Sequence, residues 1–140
     1  MKYVIWSMAF LLVCTVTDLK ERKVYTLFCL GNLAAVIALM LWNNEKFINI
    51  MLGMVPGIIL LGISLIASEA IGRGDAIVVM VIGSALGYTR TVEILTWAFL
   101  TCLVVAGIGK LKKKITLKSK MPFVPFLMTG ECITVIMSFL

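Results

Sequence analysis

The sequence predicts an all-α integral membrane protein of about six transmembrane helices, with the N-terminus and the C-terminus both outside. Three observations carry that expectation. The 140 residues are 61% hydrophobic and 14% charged, whereas a soluble domain is about half apolar and a quarter charged. Mean hydropathy is +1.09, and a soluble fold of this length cannot bury so much apolar surface. Charged residues also fall in clusters that divide the chain into apolar runs of roughly bilayer length. No long polar segment separates the runs, so residues 1–140 are expected to form a single transmembrane domain.

The first run, Met1–Thr17, has one lysine and no small-residue cleavage site, and further spans follow, so it reads as a retained helix and not a signal peptide. Val24–Trp42 and Phe47–Ser68 are the second and third. The fourth ends at Tyr88 and is short: Ala76–Tyr88 has 13 residues, too few for about 30 Å at 1.5 Å per residue. It must therefore borrow Gly72–Asp75 from upstream, which draws Asp75 to the membrane boundary. Ile94–Gly109 and Met121–Leu140 complete the set. Pro122 and Pro125 open the last run, where a missing amide proton matters little.

Orientation follows from the basic residues. Lys20, Arg22, Lys23, Arg73, Lys110, Lys112, Lys113, Lys114, Lys118 and Lys120 fall in the connections after runs one, three and five, and only Lys2, Lys46 and Arg90 fall on the other side. The side with the excess is expected to be cytoplasmic. The net charge of +6 is explained by this bias and by attraction to anionic headgroups of the bilayer. The basic run "KLKKKITLKSK" is a short loop between spans, and no nucleic-acid partner is expected. The four cysteines lie singly in apolar runs and there is no histidine. No metal site and no cofactor are implied.

The sequence has two aspartates, Asp18 and Asp75. The topology places both at the cytoplasmic face, one where the first run arrives and the other where the fourth departs. Ionisable groups at such depth are expensive and mark function by default. Two neighbouring carboxyls in a poorly hydrated site share a proton, so one can act as base on a water while the other donates to a carbonyl oxygen. That is peptide hydrolysis without metal or covalent intermediate. Gly72 and Gly74 would let an extended substrate strand approach, or would simply end a loop before a helix. Two rivals stand beside the peptidase: a small proton-coupled transporter using Asp18, Asp75 and Glu131, and a non-catalytic pilus or secretion assembly protein that keeps the peptidase fold. A carrier site is usually nearer the midplane. Glu131 lies 11 residues after Lys120, near mid-membrane, and is expected to be protonated or hydrogen-bonded to another span.

"GRGD", Gly72–Asp75, resembles the G-x-G-D motif of membrane aspartyl proteases. "TDLKERKVYT" (Thr17–Thr26), "GSALG" (Gly83–Gly87) and "KMPFVPFL" (Lys120–Leu127) are similar, in order and spacing, to stretches of the type IV prepilin peptidases in particular. The chain departs from the family at Val24–Thr26, where "IPN" is usual, at Ile77, where lysine is common, and at Val124, where glycine is common. The resemblance implies catalytic roles for Asp18 and Asp75, with Gly72 and Gly74 as motif residues. Its substrates would be prepilin-like or pseudopilin proteins with a short basic leader, cleaved at the cytoplasmic face of a prokaryotic cell membrane. Glu21 and Glu69 flank the site and could hold that leader, or pair with nearby Lys20, Arg22 or Arg73. The chain resembles the short members of the family, which lack the cysteine-rich cytoplasmic domain, so proteolysis without N-methyltransferase activity is expected.

Overall fold

The computed structural model describes residues 2–21, 26–43, 46–66, 72–111 and 123–140. Among them are six helices and no strand: α1 (Lys2–Glu21), α2 (Thr26–Trp42), α3 (Phe47–Ile66), α4 (Arg73–Leu86), α5 (Tyr88–Leu111) and α6 (Val124–Phe139). The all-α architecture with six helices agrees with the sequence reading. Helices α1, α3 and α5 are long and apolar enough to cross a membrane, while α2 and α6 are shorter apolar helices. At 14 residues, α4 spans only about 21 Å.

Two boundaries differ from the apolar runs. Helix α1 continues through Asp18 to Glu21, and α5 begins at Tyr88, ahead of Arg90 and Glu93. Both of those charged side chains are exposed, and a charge pointing away from the core does not end a helix. Gly87 alone turns the chain between α4 and α5. Its φ of 83° and ψ of 170° lie where a side chain is strongly disfavoured. Its N–H bonds the Gly83 carbonyl at 2.9 Å, and its own carbonyl accepts the Thr91 N–H at 3.2 Å.

Helix α4 is the hub, packed against α1, α2, α3 and α5, while α6 lies against α1 and α5. Ala76, Val78, Val79, Val81, Ile82 and Ala85 of α4 are all buried, as suits a helix that is apolar on every side. The polarity of the bundle suits lipid. Leu27, Trp42 and Leu103 stand exposed, while Ser7, Asp18, Ser84, Thr91, Glu131 and Thr134 are buried. Buried hydroxyls bond back to the preceding turn, as Ser84 does to Val81 O at 2.8 Å and Thr134 to Gly130 O at 2.9 Å.

The α3–α4 contact is backbone on backbone. A Cβ added to Gly83 would lie 2.0 Å from the Gly53 carbonyl oxygen, and one added to Gly53 would lie 2.0 Å from the Gly83 oxygen. Gly57 abuts the Met80 backbone in the same way. Small residues that let helix backbones approach closely are the usual currency of packing in lipid. Gly83→Ala must push the two helices apart and is expected to destabilise the protein by about 1–3 kcal/mol, read as a lowered melting temperature in detergent. Gly62→Ala, with nothing within 4 Å of its added Cβ, should be neutral or slightly stabilising. Equal behaviour of the two variants would contradict the close α3–α4 contact.

Candidate active site

Asp18 sits in the last turn of α1 and Asp75 in the first turn of α4. The chain reverses direction between them, so both side chains stand at one end of the bundle, within range for the charge of Asp18 to act on Asp75. Asp18 is only 6% exposed, and Asp75 is half-buried.

Each carboxyl is held by the start of a helix. Asp18 accepts a hydrogen bond from the backbone N–H of Val124, the first residue of α6. Its Oδ2 is buried with no hydrogen-bond partner. Helix N-termini carry unpaired amides and partial positive charge, so they attract carboxylates. Asp75 accepts the N–H of Gly72, the residue that caps α4. In return the Gly72 carbonyl accepts the Asp75 N–H at 3.1 Å and the Ala76 N–H at 3.4 Å. This is the carboxylate half of a capping box. Gly72 itself has φ −65° and ψ 135°, which any residue adopts. What favours glycine there is space: an added Cβ would lie 3.0 Å from Asp75 Oδ2.

Beneath the carboxyls lie two thiols. Cys14, one turn before Asp18 on α1, hydrogen-bonds Cys29 of α2, and Cys29 feels the charge of Asp75. Both are buried and unbridged, as small apolar residues would be, yet they also pair α1 with α2. Further along the same seam, Phe10 stacks on Phe28 with centroids 6.1 Å apart. No group of three or more His, Cys, Asp or Glu side chains is placed to hold a metal ion among the described residues.

Of the residues singled out from sequence, Asp18, Gly72, Gly74 and Asp75 lie at one end of the bundle, with Gly72 against the Asp75 carboxyl. Gly74 is half-buried one residue before Asp75. Glu21 ends α1, but its side chain and the whole of Glu69 lie outside the described residues, as do Arg22–Tyr25 and Lys120–Pro122 of the motif stretches. The Val124 amide is a contact that sequence reasoning missed. Its signal was available: a helix opening with Pro125, on the same face as both aspartates, offers free amides there. Glu131 is fully buried, and Ser7 of α1 donates a hydrogen bond to its Oε1. The expected bond to another span is therefore present.

A cavity of about 740 Å³ lies elsewhere, lined by Tyr3, Asn49, Ser84 and Tyr88 among others. Tyr3 and Asp18 are 15 residues apart on α1, about 22 Å, so this space is at the far end of the bundle from the carboxyl pair.

No curated protein and no solved structure matches the chain. A model of the type IV leader peptidase family matches residues 5–107. That stretch is most of the chain and holds Asp18, "GRGD" and "GSALG". The chain therefore belongs to the type IV leader peptidase family.

Proposed function

We propose that the protein is a multi-pass aspartic endopeptidase that removes the basic leader of prepilin-like or pseudopilin substrates. It acts at the cytoplasmic face of a prokaryotic cell membrane and has no N-methyltransferase activity. One observation carries this reading: Asp18 and Asp75, the only aspartates of the chain, stand in the last turn of α1 and the first turn of α4 at one end of the bundle, within range of each other's charge. Membership of a leader peptidase family favours it over a proton-coupled carrier, and the presence of both aspartates favours it over a non-catalytic assembly protein that keeps the peptidase fold.

The chemistry follows from two carboxyls that resist ionising together. The ionised member takes a proton from water as its oxygen bonds the scissile carbonyl carbon. The protonated member gives its proton to the carbonyl oxygen. As the tetrahedral diol collapses the C–N bond breaks, one carboxyl gives its proton to the leaving nitrogen, and the other takes the proton of a diol hydroxyl, which restores the singly protonated pair. The leader departs with a new carboxylate, and the mature protein keeps the new amine. Which aspartate begins as base belongs to the pair and not to either residue. The basic bias of the connections after α1, α3 and α5 supports placing this end in the cytoplasm, where a basic leader would stay while its apolar helix lies among the spans.

Asp18→Asn and Asp75→Asn are each expected to lower prepilin cleavage by about 1,000-fold or more, scored as loss of the mobility shift on co-expression, with membrane insertion retained. Parental cleavage by either variant would refute the mechanism. Gly72→Ala tests the geometry. Its backbone tolerates alanine, but the added Cβ crowds Asp75. Cleavage should fall about tenfold at an unchanged melting temperature, whereas unchanged cleavage would show that Asp75 has room to spare.

A further inference from the structure

Glu131 is a carboxyl that the reaction does not use. It is 1% exposed, its Oε2 has no hydrogen-bond partner, and its Oε1 is bonded by Ser7 Oγ. A buried ionisable side chain in a membrane helix is costly, so its presence calls for a use. Its position shows one. Glu131 is seven residues beyond Val124, two turns along α6 and about 10 Å away. Helices α1 and α6 run antiparallel, with Asp18 meeting Val124 near one end and Ser7 meeting Glu131 further along. The adjacent residue, Gly130, is pressed against α5: an added Cβ would lie 2.5 Å from the Ile94 carbonyl oxygen. Neighbouring residues thus lock α6 to α5 by backbone contact and to α1 by a polar tie.

We propose that Glu131 is a positioning residue for Asp18. In lipid, helices gain little from burying apolar faces, and polar ties fix their register. A slip of one residue moves a helix about 1.5 Å along its axis, enough to carry the Val124 amide away from the Asp18 carboxyl. The Ser7–Glu131 bond holds α6 against α1 so that this amide stays in place. Glu131 touches no substrate and acts through the α1–α6 register.

The inference rests on Asp18 being catalytic, and the test separates the two. Steady-state cleavage of a purified prepilin is measured for the full-length parent, Ser7→Ala, Glu131→Leu, Glu131→Gln, Ser7→Ala/Glu131→Leu and Asp18→Asn, with melting temperatures alongside. Ser7→Ala and Glu131→Leu are expected to lower kcat about tenfold with KM within twofold of the parent. The double variant should lose no more than either single one. Glu131→Gln, which keeps an acceptor for Ser7, should stay within threefold of parental kcat. Parental kcat in Ser7→Ala, or a Glu131→Gln loss as large as that of Glu131→Leu, would overturn the proposal. Should Glu131→Leu fail to fold, Ser7→Ala and Glu131→Gln decide alone. Parental cleavage by Asp18→Asn would instead overturn the peptidase mechanism itself.

Discussion

Close backbone contact between α3 and α4 is the constraint from which the rest of the arrangement follows. Between helices in lipid, apolar burial offers little net drive, so the distance of approach and a few polar bonds decide the packing. Gly53, Gly57 and Gly83 allow backbone contact, and that seats α4 deep among α1, α2, α3 and α5. A 14-residue helix with most of its residues buried has little freedom to tilt. The position of Asp75, the third residue of α4, is therefore set by the packing of Ala76 to Ala85 behind it. The corner at Gly87 finishes the constraint, because it sends the chain directly into α5 with no loop to absorb movement.

Opposing influences act on charge at the carboxyl end. Burial and mutual repulsion disfavour charge on the two aspartates. The Val124 amide on one, the Gly72 amide on the other, and the partial positive charge at the starts of α6 and α4 favour it. Each helix start donates to a different aspartate, so the support is divided and not concentrated on one group. Such a pair suits the sharing of a single proton, which the proposed reaction requires.

Much of this was legible in the sequence because it rests on period, charge and spacing. Six apolar runs gave six helices, and the basic bias put both aspartates at one end, where the fold also places them. The shortness of the fourth run showed that it had to draw in Gly72–Asp75 from upstream; Arg73–Asp75 are helical, while Gly72 is extended and caps the helix. Run boundaries drawn at charged residues were less sound, since Asp18, Arg90 and Glu93 all lie within helices. The glycines of "GSALG" could be noticed but not interpreted. One meets Gly53 across the helix pair and the other adopts a positive φ, and neither fact has a signature within a single segment. Ser7 as the partner of Glu131 was hidden for the same reason, the two being more than a hundred positions apart.

The surroundings of the pair also have a direction. Below Asp18, the α1–α2 seam is filled by Cys14 and Cys29, then by Phe10 stacked between Phe28 and Trp6, whose ring centroid is 5.5 Å away. Phe10, Cys14 and Cys29 are all buried in the apolar core. On the other side Gly72 and Arg73 are exposed, and Gly74 and Asp75 half-buried. In the proposed reaction a substrate strand therefore approaches from the Gly72–Gly74 side, where the two glycines leave backbone accessible. It meets Asp75 first, with Asp18 behind it. The apolar packing beneath keeps bulk water from the far side, so the water that attacks must be one held between the carboxyls and the substrate. A floor of thiols and rings suits that task better than polar residues would, because it offers neither carboxyl a competing partner and leaves the unpartnered Oδ2 of Asp18 free for the reaction.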